Sequence, residues 1–210
     1  MVAAIQETPV VAIEPARIPR EAFELWRMCS TDGNRFSILR LHIQRADASA
    51  KVVAVATDGH QMATYTWIDR ALWCELEQPI QVERDTAKDL CKQLKKFERE
   101  QCALTGAALL DKEVRVGGNT TEIVTGSDRV GNFPNFEQVI PPRAVDRKPA
   151  PCVGVDLQFL ANAYDLLAAM APKEPACVEL YLGDHNAPIR LEASLPNGIY
   201  VGVVMPVRTK

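Results

Sequence analysis

The sequence lacks the motifs that mark most enzyme active sites and most zinc sites. No GxSxG, HExxH, P-loop or paired CxxC pattern occurs in its 210 residues. Six cysteines are present, but no histidine lies near one of them at the spacing of zinc ligands, so we expect reduced, buried thiols. We therefore predict a protein that is not an enzyme and that has no catalytic residues, no metal and no cofactor.

The sequence also lacks a recognisable targeting or membrane segment. Residues 1–19 contain Glu7, Pro9, Glu14 and Pro15, and they have neither the basic start nor the unbroken apolar stretch of a signal peptide. No apolar run reaches the length of a membrane span. We expect a cytoplasmic protein with no membrane contact, and unpaired cysteines agree with a reducing compartment.

An excess of positive charge is missing as well. The formal net charge is −3, which excludes a surface coated in positive charge but leaves room for a local basic stripe. Hydrophobic residues make up 47% of the chain, so it can build a substantial core. A chain of 210 residues accommodates one large domain or two small ones.

What the sequence does contain is one plan used three times, in which a short extended stretch leads into a helix that is followed by several alternating strands. We predict helices at 20–30, 85–101 and 156–171, with Asp85 and Asp156 as N-caps. Turn-forming Gly, Asn and Asp residues separate the predicted strands: 35–44, 51–58 and 61–68; 102–110, 112–116 and 120–126; 176–182, 188–193 and 199–205. This repeat predicts an α+β fold in which each unit is a helix packed on a small antiparallel sheet.

A proline-rich stretch interrupts the repeat. Residues 141–151, PPRAVDRKPAP, contain four prolines, four charged residues and no apolar period. Such a composition is typical of an extended linker, and we place it between the second and third units.

The second predicted helix separates its charged residues from its apolar ones. At about 100° per residue, its basic residues fall within one arc, and its apolar residues face the other way. The first helix has a weaker basic group, and the third has none. A basic helix face is either an ordinary solvated surface or a surface that contacts phosphates. The residues of the basic arc are Lys88, Lys92, Lys95, Lys96 and Arg99.

Three segments carry a resemblance to a known family. Residues 55–63 (VATDGHQMA), 132–141 (NFPNFEQVIP) and 200–208 (YVGVVMPVR) resemble, in this order, three motifs of the bacterial β sliding clamp of DNA polymerase III. The resemblance extends over about 16–210. It implies a DNA-clamp (processivity) fold built of helix-and-sheet half-units, and a processivity factor that encircles or contacts duplex DNA during DNA replication.

The resemblance also implies sites and partners. The partners would be duplex DNA, a DNA polymerase, other clamp-motif proteins and a clamp loader. The implied DNA-binding residues are Arg17, Arg20, Arg27, Arg84, Lys88, Lys92, Lys95, Lys96 and Arg99. The implied groove for a partner's hydrophobic peptide comprises Ile38, Thr57, Gly59, His60, Gln61, Met62, Pro134, Val139, Val203, Val204, Met205, Pro206, Val207 and Arg208.

The chain departs from the family's pattern in two respects. Gln61 stands where the family usually has an arginine. In addition, we count three half-units where the family has six: 16–140 resembles its middle domain, and 152–210 resembles the second half of its last domain. A lone half-unit exposes a sheet edge and an apolar helix flank. Either self-association covers them, with a tetramer supplying a six-domain ring, or the N-terminal extension 1–15 adds a strand.

Two other functions remain open at this point. A clamp-like module that does not encircle DNA could keep the groove and compete for clamp-binding proteins, and the lack of positive charge on the third helix favours this reading. An enzyme would have to use His42, His60, His185, Asp58, Asp184 or the cysteines. Asp58 and His60 are better explained as parts of a tight turn that shapes the groove, with Gly59 making the turn.

Overall fold

The described residues form four helices and twelve strands. The computed structural model describes residues 16–34, 38–46, 49–99, 107–110, 113–116, 119–122, 124–125, 133–141, 153–171, 177–183 and 187–207. The helices are α1 (Arg20–Glu24), α2 (Arg70–Glu75), α3 (Arg84–Arg99) and α4 (Leu157–Met170). The strands are β1 (Arg17–Ile18), β2 (Arg40–Arg45), β3 (Lys51–Thr57), β4 (Gln61–Ile68), β5 (Ile80–Glu83), β6 (Ala107–Leu110), β7 (Glu113–Val116), β8 (Asn119–Glu122), β9 (Val124–Thr125), β10 (Glu179–Tyr181), β11 (Ile189–Leu195) and β12 (Gly198–Val204).

The predicted α+β plan is confirmed, with local corrections. The first predicted helix is split, because α1 gives way to a 3₁₀ turn at Leu25–Met28. Asp156 is the N-cap of α4, where its Oδ1 accepts a hydrogen bond from the Gln158 backbone N–H at 2.8 Å. Asp85 is not an N-cap, because α3 already begins at Arg84. The first predicted strand, 35–44, begins only at Arg40 in the described residues.

Helix α2 was not predicted, and β5 was expected only as a short extended stretch before the second helix. Helix α2 begins after Asp69, whose Oδ1 accepts a hydrogen bond from the Leu72 backbone N–H at 2.8 Å. Strand β5 has only four residues and leads directly into α3. The N-terminal extension 1–15 and most of the predicted linker, 142–151, lie outside the described residues.

The first two units exchange strands. Strand β1, which precedes α1, pairs with β6 of the second unit, and β5, which precedes α3, pairs with β2 of the first. Each sheet therefore ends in a strand supplied by the other unit, while α1 and α3 pack together. The exchange joins the two units into one body with a common core.

The third unit extends the sheet of the first unit. Strand β12 pairs with β4 in antiparallel register from Ile199–Thr66 to Val204–Gln61. The result is an eight-stranded sheet in the order β10-β11-β12-β4-β3-β2-β5-β9, beside a four-stranded sheet in the order β1-β6-β7-β8. The β12–β4 pairing places the C-terminal strand next to the turn between β3 and β4.

A buried ion network holds the helices of the three units together. Glu24 has no exposed surface, and its carboxylate contacts Arg20 at 3.2 Å, Arg27 at 3.3 Å and Lys95 of α3. Arg20 also donates hydrogen bonds to the carbonyl oxygens at the end of α4, Ala169 at 2.8 Å and Met170 at 3.5 Å. Arg20 therefore closes the C-terminus of α4, where unpaired carbonyls need donors.

Burial and basic neighbours shift the pKa of Glu24 in opposite directions. Burial raises the pKa of this carboxyl, whereas hydrogen bonds from Lys95 and Cys91 and the positive charges of Lys95 and Arg27 lower it. The lowering effects together prevail, and the pKa lies below its ordinary value. Glu24 is therefore a charged group within the core rather than a neutral one.

The cysteines only partly meet the expectation of buried thiols. Cys29 and Cys91 are free and buried, and burial raises the pKa of each thiol to about 12. Cys74 and Cys177 are free but exposed, so the prediction of burial is wrong for them. Cys102 and Cys152 lie outside the described residues.

Candidate partner-binding groove and basic face

An apolar groove lies where the first unit meets the C-terminal strand. It has a volume of about 370 Å³ and brings together ten of the fourteen predicted groove residues. These ten come from segments that are far apart in sequence, which meet because β12 pairs with β4. They are Ile38, Thr57, Gly59, His60, Gln61, Met62, Pro134, Val139, Val203 and Met205.

The turn between β3 and β4 forms one rim of the groove. Gly59 has φ = 93°, a left-handed conformation that side-chain-bearing residues rarely adopt. Asp58 Oδ1 accepts hydrogen bonds from the backbone N–H groups of His60 at 2.8 Å and Gln61 at 2.9 Å. Asp58 Oδ2 accepts a third from Gln61 Nε2 at 2.9 Å. Asp58 thus fixes the turn, in agreement with a shaping role rather than with proton transfer.

The floor and one wall are aromatic, which the sequence did not reveal. Phe133 and Phe136 line the groove, and Phe136 is buried with Val53, Val55 and Val203 in a small hydrophobic cluster. Both phenylalanines lie in the segment 132–141 that carried the family resemblance, so their position beside Pro134 was the available signal.

His42 supports this wall from behind. Its ring stacks on the Phe133 ring with a centroid distance of 4.6 Å and an interplanar angle of 10°. His42 Nε2 lies 2.8 Å from Gln44 Oε1, and burial lowers the pKa of the imidazole. A neutral, buried ring that packs on Phe133 explains His42 as a structural residue rather than as an acid–base group.

The C-terminal segment is held against the turn by its backbone. Met205 N–H donates to the His60 carbonyl at 3.2 Å, and Val207 N–H donates to the Gly154 carbonyl at 2.9 Å. Alternation along β12 directs Val203 into the groove, whereas Val204 packs in the main core. Pro206 and Val207 follow the strand without lining the groove, and Arg208 lies outside the described residues.

The described lining of the groove is mostly apolar. Among the described residues that line it, none is an Asp, Glu, Lys or Arg. Gln61, at the position where the resemblance led us to look for an arginine, is buried, and its Oε1 has no hydrogen-bond partner. Because this oxygen has almost no accessible surface, a bound molecule can reach it only if the Gln61 side chain turns towards the groove.

The predicted DNA-binding residues separate into buried and exposed groups. Arg20 is buried and occupied by Glu24 and the end of α4, so its guanidinium is not available to a phosphate. Arg27 and Lys95 also contact Glu24 but remain about one-third exposed. Lys92 and Lys96 are exposed on α3, and Lys92 forms a surface ion pair with Asp89 at 2.9 Å.

Three of the predicted basic residues share one aromatic ring. The guanidinium carbons of Arg27 and Arg84 lie 5.0 and 5.1 Å from the centre of the Trp26 ring, and Lys88 Nζ lies 5.0 Å from it. Cation–π contacts hold such side chains in place without neutralising them. Arg17 lies in β1, at the start of the first unit, and α3 ends at Arg99.

Among the residues that the structure describes, no group of three or more His, Cys, Asp or Glu could hold a metal ion. Within that same part of the chain, no helix is long and apolar enough to cross a membrane.

Comparison with known proteins gives a result only at the level of structure. No protein-family model matches the chain, and no curated protein matches it in sequence. Solved β sliding clamps do match. The clamp of Caulobacter crescentus with PEG bound is 17% identical, with a TM-score of 0.59, 97% of this chain covered and 68% of the clamp covered. The clamp of Bartonella birtlesii bound to griselimycin is 16% identical, with a TM-score of 0.62 and coverages of 90% and 63%.

A third solved clamp gives the same result. The Bacillus subtilis clamp is 13% identical, with a TM-score of 0.60, and the match covers 98% of this chain and 67% of the clamp. The chain thus spans about two thirds of the length of these clamps. Identities this low establish architecture rather than activity. The chain has the fold of the bacterial DNA polymerase III β sliding clamps.

Proposed function

We propose that this protein is a shortened, sliding-clamp-like processivity factor without enzymatic activity. It binds a short apolar segment of a DNA polymerase, or of another clamp-binding protein, and encircles or contacts duplex DNA as a cytoplasmic homo-oligomer, for which a clamp loader would be needed. The observation that carries the proposal is the groove between the first and third units.

The lining of the groove suits a peptide with bulky apolar side chains. Its volume lies at the lower end of the range for ligand sites, about 300–1,000 Å³, and Met62 and Met205 can adapt to different shapes. Burying one large apolar side chain contributes about 1.5–3 kcal/mol. Two or three such side chains contribute about 3–9 kcal/mol, and an association cost of at least about 4 kcal/mol leaves a dissociation constant on the order of 0.2 mM or weaker from these side chains alone.

The polar groups of the groove add direction to this binding. A peptide backbone N–H can donate to Gln61 Oε1 once the Gln61 side chain turns towards the groove, because this acceptor is buried and has no partner among the described residues. A buried polar group that gains a hydrogen bond on binding favours ligands that supply the donor. Because no Asp, Glu, Lys or Arg occurs among the described lining residues, we expect binding at this site to depend little on salt.

The basic face of α3 supports the DNA-binding part of the proposal. Lys88, Lys92 and Lys96 lie on the side of α3 opposite its buried residues, and each phosphate contact releases a counterion. Arg27 and Arg84, held over Trp26 with Lys88, extend this face towards the first unit.

A specific observation also favours the second candidate, a clamp-like module that does not encircle DNA. Helix α4 contains no lysine or arginine, so it adds no positive charge to a DNA-facing surface. Such a module would bind the same peptides and compete for clamp-binding proteins. The two candidates differ in whether the protein stays on DNA whose ends are blocked.

Peptide binding tests the groove, which both candidates require. The probe is a fluorescein-labelled nonapeptide with a central Leu-Leu-Phe sequence, and the reference peptide has Ala at these three positions. Met205→Glu places a charge in the groove at a side chain that is 41% exposed, so the fold should survive. We expect this variant to bind the probe at least about tenfold more weakly by fluorescence anisotropy, which corresponds to about 1.4 kcal/mol.

Val207→Glu is the matched control. Val207 belongs to the same C-terminal segment and is 46% exposed, but it does not line the groove. This variant should bind the probe as the unmodified protein does. Equal affinities of both variants, or no preference of the protein for the probe over the Ala peptide, would remove the groove from the proposal.

A further inference from the structure

The closed pair formed by the first two units provides a template for the third. In that pair, the segment before each helix adds to the sheet of the opposite unit, at the first strand after the opposite helix. Thus β1 lies on β6, and β5 lies on β2. The two helices α1 and α3 pack side by side over the joined sheets. Because the exchange is reciprocal, one unit can complete another unit of the same plan.

The third unit has the parts of this exchange without the partner. Residues 153–156 precede α4 as β1 precedes α1 and β5 precedes α3. Strand β10 is the first strand after α4, the position that β2 and β6 hold, and it is the outermost described strand at its end of the eight-stranded sheet. In the described part of the chain, no strand lies on the outer side of β10.

The local contacts of the pre-helix segment repeat as well. In the first unit, Arg17 N–H of β1 donates to the Asp69 carboxylate, just after the last strand of the unit, at 3.3 Å. In the third unit, the Gly154 carbonyl accepts from Val207 N–H, again just after the last strand. The two contacts differ in kind, since one acceptor is a side chain and the other a backbone carbonyl, but each ties the segment before the helix to a residue just after the last strand of its own unit.

The flank of α4 that a partner helix would cover is apolar. Leu157, Ala161, Tyr164 and Ala168 lie on one face at spacings of four, three and four residues, and all four are exposed. Leu157 is 79% exposed and Tyr164 is 71% exposed. At the exposed positions of α3, by contrast, the residues are charged, including Asp85, Asp89, Lys92 and Lys96.

The sheet beneath this flank is open in the same way. In the closed pair, Leu41 and Ile43 of β2 are fully buried under the helices. In the third unit, Val178 packs against the core, but Leu180 of β10, two residues later on the same face, is 58% exposed. A large apolar surface of this kind marks an interaction site.

We propose that the open flank of the third unit is covered by the third unit of a second copy of this chain. Residues 153–156 of each copy lie on β10 of the other, and the two α4 helices pack through the stripe Leu157, Ala161, Tyr164 and Ala168. The contact is self-complementary, because each copy both supplies and receives the same elements, as a two-fold interface requires. The proposal rests on the third unit alone and does not depend on the groove or on DNA.

Light scattering of the full chain tests this interface. The chain has a mass of 23.2 kDa, and we expect the unmodified protein to have at least twice this mass. The double variant Leu157→Glu/Tyr164→Glu places two charges in each half of the interface at side chains that are already exposed. Its mass should fall to half that of the unmodified protein or less, with an unchanged far-UV circular dichroism spectrum.

Ile68→Glu is the control for exposed apolar residues in general. Ile68, at the end of β4, is 73% exposed and lies outside the third unit. This variant should keep the mass of the unmodified protein. A monomeric unmodified protein, or equal masses for the double variant and Ile68→Glu, would overturn the proposal.

Hydrogen exchange identifies what covers β10. If a second copy does so, the amides of Glu179–Tyr181 and of residues 153–156 should exchange faster in the monomeric double variant. If residues 1–15 of the same chain cover β10, these amides stay protected in the monomer, and the proposal is wrong. Both variants leave the groove intact, so probe-peptide binding measured in parallel shows separately whether the groove proposal fails.

Discussion

The paired units and the lone third unit follow one plan but bury different amounts of apolar surface. In the first two units, each sheet receives a strand from the opposite unit, and residues such as Leu41 and Leu90 are almost completely buried. In the third unit, Leu157, Tyr164 and Leu180 remain largely exposed. One helix-and-sheet unit therefore supplies only half of a hydrophobic core. Whether its apolar residues are buried depends on a second unit that packs against it.

The interface between the first and third units, called the joint below, differs both from the interface of the first two units and from the exposed flank of the third unit. It has two layers: the β12–β4 pairing in the sheet, and Arg20 with the end of α4 among the helices. The groove lies at this joint, so the strength of the joint decides whether the groove exists. Substitutions that weaken the joint, or that change the charge of one helix face, therefore test this comparison.

The largest effect is expected from Glu24→Gln. The substitution keeps the shape of the side chain but removes the buried negative charge that Arg20, Arg27 and Lys95 share, so that Arg20 keeps only its longer contact with Glu21, at 3.5 Å, among these carboxylate contacts. Breaking a buried ion pair by removing one partner costs about 3–5 kcal/mol. Chemical denaturation should therefore show a decrease of this size in the free energy of unfolding.

The control for this prediction is Asp89→Asn. Asp89 pairs with Lys92 on the surface of α3, where the two side chains are 64% and 65% exposed. Exposed pairs contribute about 0–1 kcal/mol. Equal destabilisation by the two substitutions would mean that the Glu24 network does not hold the units together.

Acid titration sharpens the same prediction. The pKa of Glu24 is lowered from 4.5 by folding, so its contribution is complete above that value and is lost as the pH falls through the folded pKa. The unmodified protein should lose stability below about pH 4.5 more steeply than Glu24→Gln does. Parallel acid profiles would contradict the lowered pKa.

A smaller effect is expected at the sheet layer of the joint. A Cβ atom at Gly198 would lie 2.5 Å from the Thr66 carbonyl oxygen and 2.7 Å from the Tyr65 ring. Overpacking of this kind costs about 1–3 kcal/mol, so Gly198→Ala should weaken the β12–β4 pairing. Relative to the unmodified protein, the variant should show a larger increase in amide hydrogen exchange in β12 than in β2.

Gly33→Ala is the matched substitution. A Cβ atom at Gly33 meets no atom within 4 Å, so the free energy of unfolding should change by less than about 0.5 kcal/mol. Equal effects of the two substitutions would show that the close approach at Gly198 does not matter.

The smallest effect concerns the contrast between the charged α3 and the apolar α4. Lys92→Glu should weaken DNA binding by roughly threefold to tenfold at low salt. It should also reduce the slope of the logarithm of the binding constant against the logarithm of the salt concentration by about 1. Arg70→Glu makes the same change of charge on α2, which packs against β1 and β3, and should leave the slope unchanged. Equal slopes for both variants would make the basic face of α3 an ordinary solvated surface.

Much of the local structure could be predicted from the sequence, because it depends on short-range patterns. The run of 61–68 forms β4 as expected, and Gly59 makes the predicted turn. Helix α2 was missed because six residues are too short for a clear period, although Asp69 before it is a standard capping residue.

Long-range features could not be predicted in the same way. Arg20 looks like any other surface arginine in the sequence, and it is buried because the end of α4, 149 residues away, supplies carbonyl acceptors. Phe133 lines the groove because His42 of β2 packs behind it. The ten groove residues that meet were placed by family resemblance, since nothing in their local sequence indicates that β12 lies beside β4.

Retention on end-blocked DNA tests the central claim, a clamp that encloses duplex DNA, most directly. The protein is incubated with a linear duplex biotinylated at both ends, streptavidin then blocks the ends, and NaCl is raised to about 1 M, where the screening length is only about 3 Å. An enclosing ring should stay on the blocked duplex and leave when a restriction enzyme cuts it. Release at the same rate from blocked and unblocked DNA would contradict enclosure and leave the non-encircling module as the function.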